Sequence, residues 1–335
     1  MKKTNPFSRF KKSTIVRLMQ TLYWCCGLGL NILAWVAPQQ AGQGAYILFG
    51  WTHRLPRNQR ERSWARKATR HEIRRDGQEL AIFSWGEGPT VLLVHGWNGR
   101  GTQLSHFIQP LLDRGYRVVT FDAQGHGDSA GRHTNLFKFG KGVQLVAEKF
   151  GPLHGIITHS MGGAATTLAL AAGVETVRLV YISPPTEPRQ WAESFSRAIG
   201  FSRRTKRAFL GYLNENFREG WRQVNTLELE RQRTTDLLLF HDVEDKETSW
   251  EGSQEIARAW PGARLALTKG LGHNRILKDE ALISQVIHYI HQPKVFIPQT
   301  ISLKKGENYE TPYPYVLEQN RQIDRAGLPT GVLAG

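Results

Sequence analysis

Two stretches of this chain place reactive side chains where the backbone has to bend. In "GIITHSMGG" (155–163) a β-branched run ends in a turn of small residues, with Ser160 at its tip. Ile156 and Ile157 read as strand, and "GGAATTLALAAG" continues as an Ala- and Leu-rich helix, so the hydroxyl sits between a strand end and a helix start. A bend this sharp demands small neighbours two residues away on each side. Gly162 meets that demand on the helix side, while Thr158 stands where glycine is usual and has to fit against the adjoining helix. A helix N-terminus offers free N–H groups and a positive dipole end, so the Met161 amide would face an anion forming beside Ser160. A tetrahedral oxyanion needs a second donor, and one such donor is worth about 3–4 kcal/mol of barrier. "VLLVHGWNGRG" can supply it, because Gly96 permits a tight turn after a strand and the Trp97 amide follows.

A serine is a weak nucleophile without a base and a group that orients the base. His273, in the Gly-flanked loop of "LGLGHNRIL", suits the base. "DLLLFHDVEDKET" offers the orienting acid at the end of the preceding strand. Asp245 fits best there, in the loop three residues past the strand end, with Asp242 and then Glu244 as alternatives. His126 reads as a loop-shaping residue, His159 as a packing or supporting one, and His241 as buried with its strand end. No histidine shows metal-ligand spacing, so no metal is expected. A phosphate-binding Gly-Lys loop is missing. "GQGAYI" (42–47) lacks the strand and acidic residue of a dinucleotide site, so no nucleotide cofactor is expected either.

The elements that must position these groups recur along the chain. "TRHEIRRDGQELAIFSWGEGP" reads as two strands joined at "RDGQ". Apolar strand-like runs follow at 90–95, 117–122, 155–159, 178–183, 236–242 and 264–269. Helical patterns at 104–114, 135–150, 162–172, 251–259 and 276–291 separate most of them. Short apolar strands alternating with helices make a parallel sheet covered on both faces. Residues 186–233 are too long for a simple crossover and read as a helical insertion, and 293–335 loses periodicity and reads as an irregular tail.

Across roughly residues 68–292 the chain resembles the serine hydrolases of the α/β-hydrolase fold. The motifs that carry the resemblance are "HGW" (95–97), "FDAQGHGDSAG" (121–131), "THSMGG" (158–163), "HDVEDKE" (241–247) and "GLGHNRIL" (270–277), in that order at successive strand ends. The resemblance implies a mostly parallel eight-stranded sheet flanked by helices, with 186–233 as a cap between the sixth and seventh strands. It implies a Ser160–Asp245–His273 triad, an oxyanion hole at Trp97 and Met161, no cofactor, and hydrolysis of a small-molecule or lipid-like ester through an acyl-enzyme. The family's acid-loop pattern maps onto His241, Asp242 and Asp245, and Asp242 occupies the place of the usual glycine, so which carboxylate points inward stays open. A serine at the elbow argues against dehalogenase and epoxide hydrolase chemistry, for which relatives use Asp. Thioester hydrolysis or cofactor-free haloperoxidation would keep the same triad. The rival from another class is a membrane-tethered binding protein with a degenerate site.

Of the 335 residues, 44 are Lys or Arg against 29 Asp or Glu, a formal charge of +15. The excess is clustered in the first seventeen residues, in 54–75, and in "RRTKR" at 203–207. Such clusters attract phosphate, on anionic lipid or nucleic acid. No nucleic-acid-binding motif accompanies them, which favours an anionic membrane surface over nucleic acid as partner. The only cysteines, Cys25 and Cys26, are adjacent, which excludes a disulfide framework. Residues 18–37 are uncharged over a length that could span a bilayer, yet Arg17, Gln20, Thr21, Gly27 and Asn31 form a polar stripe at helical spacing. Residues 1–67 therefore read as a basic arm whose hydrophobic helix is a membrane anchor, an interfacial helix, a signal peptide or a helix packed on the domain. The location expected is a bacterial-type inner membrane or the cytoplasm.

Overall fold

The computed structural model describes residues 14–186, 188–223 and 235–292, with side chains for 21–186, 191–216 and 235–292. The expected tail 293–335, the first thirteen residues and part of the insertion lie outside the described residues.

Asp76 and Gly77 both take positive φ, 52° and 70°, which is the backbone a two-residue hairpin turn requires. They join β1 (Thr69–Arg75) to β2 (Gln78–Trp85) in antiparallel register, with Arg75 opposite Gln78. Six further strands follow: β3 (Thr90–Val94), β4 (Arg117–Phe121), β5 (Leu153–His159), β6 (Thr176–Ile182), β7 (Asp236–Asp242) and β8 (Arg264–Thr268). They form one eight-stranded sheet in the order β1-β2-β4-β3-β5-β6-β7-β8. The pairs from β4 through β8 are parallel, and β2 runs antiparallel to β4.

Side-chain alternation divides the core into two layers. Leu92, Val119, Ile156, Leu179, Leu237 and Leu239 face one way, onto α5 (Leu136–Phe150), α6 (Met161–Ala171) and α9 (Trp250–Ala259). Their neighbours Val91, Leu93, Val118, Ile157, Val180 and Leu238 face the other way, onto α4 (Ile108–Leu112) and α11 (Glu280–His291). Both faces are covered, so the parallel strands read as continuous apolar runs in the sequence. The helix expected over 276–291 is interrupted. A short α10 (Gly272–Arg275) and a 3₁₀ turn come first, and Asp279 then caps α11 by accepting from the Leu282 amide at 2.8 Å.

The insertion between β6 and β7 contains α7 (Pro188–Ile199) and α8 (Arg203–Gln223). Upstream, α1 (Thr14–Val36) and α2 (Pro38–Gly50) pack on these two helices, and α3 (Gln59–Lys67) sits near β2, with Trp85 Nε1 donating to the Trp64 carbonyl at 3.1 Å. No helix among the described residues is long and apolar enough to cross a membrane, so the spanning anchor read over 18–37 is set aside. The physical reason is the polar stripe. Asn31 spends it on the cap, donating to the Gly200 carbonyl and accepting from the Ser202 amide and the Thr205 hydroxyl.

Candidate active site

Loops leave the carboxyl ends of the six parallel strands, where ligands bind in folds of this class. Ser160 follows β5 directly and caps α6 with φ 53° and ψ −127°, a strained conformation for a residue with a side chain. Neighbouring contacts hold it there. Its amide donates to the Ile182 carbonyl at 2.9 Å, and its own carbonyl accepts from Gly163 at 2.9 Å. A Cβ on Gly162 would lie 2.6 Å from the carbonyl oxygens of Val94 and His95, so only glycine fits. Thr158 fits in the other small position because its hydroxyl donates to the Val180 carbonyl, and because Gly163 faces it, where an added Cβ would come to 3.4 Å.

The loop after β3 presses against this bend. A Cβ on Gly96 would stand 2.8 Å from the Ser160 Cβ. Among the described residues, the amides of Trp97 and Met161 have no acceptor. Two histidines shape the loop as neutral rings. His95 Nδ1 donates to the Gly96 carbonyl and Nε2 accepts from the Ala123 amide. His126 Nε2 accepts from the Asn98 amide at 3.1 Å. Burial holds His95 well below the ordinary imidazole value and lowers His126 to about 4.

His273 lies in the loop after β8, where Gly270 and Gly272 take positive φ. Its Nδ1 donates to Asp245 Oδ2 at 2.7 Å, with both side chains buried. Asp245 Oδ1 accepts the amides of Glu247 and Thr248, and Oδ2 also accepts the Thr248 hydroxyl. His241 Nε2 lies 3.5 Å from the same oxygen, and its Nδ1 meets Ser253 at 2.6 Å. Burial would raise the Asp245 carboxyl, but the hydrogen bonds to His241 and His273 win and hold it far below the usual carboxylate range. For His273 burial pulls downward, and the hydrogen bond and charge of Asp245, helped by Glu247, push it above its ordinary value. Asp242 is occupied elsewhere: it accepts from the Thr268 hydroxyl and from the amides of Leu271 and Glu244, bracing the loop that carries His273.

Of the five residues singled out by sequence, His273 and Asp245 are joined directly, and Ser160, Met161 and Trp97 converge around the bend. His159, the residue before Ser160, has its ring centroid 4.7 Å from that of His273, and its Nε2 donates to the His273 carbonyl at 2.9 Å. Ser160 Oγ makes no hydrogen bond among the described residues, and the acidic group facing His273 Nε2 is Glu247, at 3.8 Å. Sequence reasoning missed Glu247, Thr248 and Ser253, although Asp245 with Thr248 three residues on is a spacing that favours a local turn. It also missed Phe49 of α2, which stacks on Trp97 with centroids 6.4 Å apart and continues into Phe195 and Phe209 of the cap.

Comparison with known proteins supplies the family. The family model "Alpha/beta hydrolase family" matches residues 91–285. A 55-residue segment, 16% of this chain, is 38% identical to the non-heme chloroperoxidase CPO-A1 of Kitasatospora aureofaciens over 20% of that protein. A 150-residue segment, 44% of the chain, is 31% identical to the pimeloyl-(acyl-carrier protein) methyl ester esterase of Aliivibrio salmonicida over 52% of its length. These matches thus span between a fifth and about half of the curated relatives. Among solved structures, Pyrococcus furiosus esterase Pf2001 superimposes with a TM-score of 0.55 at 22% identity, covering 72% of this chain and 95% of that one, a likeness of fold. With the family model spanning more than half of its length and the eight-stranded sheet in place, this chain belongs to the α/β-hydrolase family.

Proposed function

We propose that the protein is a serine hydrolase that cleaves carboxylic esters, with Ser160 as nucleophile, His273 as base and Asp245 as the group that orients it. The observations that support this reading are the 2.7 Å Asp245–His273 pair, the contact of His273 with His159, and the strained serine that follows His159 at a helix N-terminus. Asp245 on Nδ1 fixes the tautomer that leaves Nε2 free to accept a proton. Among the described residues Ser160 Oγ has no hydrogen-bond partner, so no such bond must be broken for it to engage Nε2. Oγ then attacks the ester carbonyl carbon, its proton passes to Nε2, and the amides of Trp97 and Met161 receive the oxyanion. Collapse of the intermediate breaks the bond to the alkoxy oxygen, which leaves with the Nε2 proton. Water, deprotonated by the same ring, releases the acid from Ser160.

In this reading residues 68–292 form the hydrolase unit, 186–233 its cap, 1–67 an N-terminal extension and 293–335 a tail. The aromatic cluster of Phe49, Phe195 and Phe209 beside Trp97 favours an apolar acyl group. Thioester hydrolysis or cofactor-free haloperoxidation would use the same three side chains, and the chloroperoxidase similarity motivates including both in a substrate panel. A fluorophosphonate probe should label the full chain, and Ser160→Ala should remove labelling and lower turnover of a short p-nitrophenyl ester by at least about a thousandfold. Labelling and hydrolysis that survive in Ser160→Ala would exclude the assignment.

A further inference from the structure

Helix α1 leaves much of its apolar surface outward. Its inner face mixes small and polar residues with Leu30, which packs on the cluster of Ala45, Ala192, Phe209 and Leu213. Gly27 lies against Ile199, where a Cβ would come to 2.7 Å from the carbonyl oxygen, Asn31 bridges to Gly200, Ser202 and Thr205, and Ala34 is buried. Its outer face carries Trp24, Leu28, Ile32 and Trp35, spaced four, four and three residues apart, with Leu22 and Val36 beside them. These six side chains are between 49% and 83% exposed. An apolar side chain left in water forgoes roughly 1.5–3 kcal/mol that burial would provide. A contiguous stripe of this kind marks a surface that something covers. Ile47, Trp51 and Leu55, on and just after α2, are exposed as well.

The charges around the stripe say what covers it. Residues 18–37 hold no charge at all, and the segment before them holds cations and no acid. Arg203, Arg204 and Arg207 are exposed at the start of α8, and the Arg204 guanidinium stands 4.7 Å above the Trp35 ring at the stripe's end. Two copies of this chain paired through the stripe would bring these cationic rims together, which disfavours self-association. An apolar face with tryptophans at both ends and arginines at its rim fits the boundary between acyl chains and anionic headgroups. The helix is not apolar enough to cross, so it would lie in the plane.

We propose that the outer face of α1, rimmed by Arg203, Arg204 and Arg207, docks the protein on an anionic lipid bilayer. The proposal stands independently of the chemistry assigned to Ser160.

The test is vesicle flotation of the full chain. Vesicles of phosphatidylcholine with about 30 mol% phosphatidylglycerol should retain it roughly tenfold better than phosphatidylcholine alone, and about 0.5 M salt should reduce that preference. Cys25 lies three residues before Leu28 and seven before Ile32, and is exposed. An environment-sensitive fluorophore on Cys25 in a Cys26→Ser background should shift to the blue on the same vesicles. Trp24→Ser/Ile32→Ser/Trp35→Ser should lose retention about tenfold or more, and Arg203→Gln/Arg204→Gln/Arg207→Gln should lose the preference for anionic lipid. Any of three results would overturn the proposal: wild-type protein that stays unbound, retention indifferent to the stripe, or a dimer in sedimentation velocity that the serine variant abolishes. The fluorophore and salt readouts need no stripe variant, so a misfolded variant leaves the question decided.

Discussion

The Ser160 bend and helix α1 both let backbones approach through small residues, and they use that closeness in opposite senses. At the bend, Gly96, Gly162 and Gly163 draw three segments together so that a polar hydroxyl is held at the surface of an apolar sheet. In α1, Gly27 and Asn31 draw a helix onto the cap by its polar side and leave the apolar side outward. The first arrangement follows the rule that apolar groups go inside, with one strained exception at the site. The second leaves six apolar residues of one helix exposed. One departure from the rule is a single strained residue, the other an extended apolar stripe.

Three measurements would break or sharpen this contrast. The largest effect is expected at the acid. Asp245→Asn should lower kcat for an ester by roughly 10²–10⁴-fold, because the imidazole would lose its oriented tautomer. Asp242→Asn should stay within about tenfold in kcat/KM and appear instead as lost stability, about 1–3 kcal/mol, since it braces a loop through three hydrogen bonds. Equal losses of turnover in the two variants would remove the distinction drawn between the carboxylates.

Next in size is the inner face of α1. Asn31→Ala should destabilise the protein by about 1–3 kcal/mol in urea unfolding, because it strands the Ser202 amide and removes an acceptor of the Thr205 hydroxyl. Ile32→Ser, one residue away on the outer face, should change stability by no more than about 0.5 kcal/mol. The reverse ranking would mean that α1 is oriented the other way around.

The smallest effect concerns Glu247. Its carboxylate, 3.8 Å from Nε2, helps raise His273 above the ordinary imidazole value. An ionised Glu247 favours the imidazolium, so Glu247→Gln should lower the His273 value. The acid limb of kcat/KM should then move to lower pH, because the free base persists further into acid. An unmoved acid limb would leave Glu247 without a part in tuning the base.

The hairpin at Asp76–Gly77, the parallel strands and the elbow were legible because each is written in local terms: turn residues with positive φ, apolar runs bounded by turns, and small residues flanking a serine. The break at Asp279 was not legible, since a capping aspartate inside an apolar periodic run looks like an ordinary surface residue. The supporting contacts of Thr248 and Ser253 were hidden for a related reason. They reach Asp245 and His241 only once the loop after β7 has folded back on itself.

The amino-acid order alone determined the fold class and put a serine, a choice of acids and a histidine at three strand ends, because local sterics and burial period act over a few residues. Tertiary structure decided which acid meets His273, since Asp242 and Asp245 are three residues apart on one loop and differ only in the partners that reach them from elsewhere. It also decided that α1 turns its polar stripe inward. The stripe is visible in the sequence, but the direction it faces depends on Gly200, Ser202 and Thr205, more than 160 residues away along the chain.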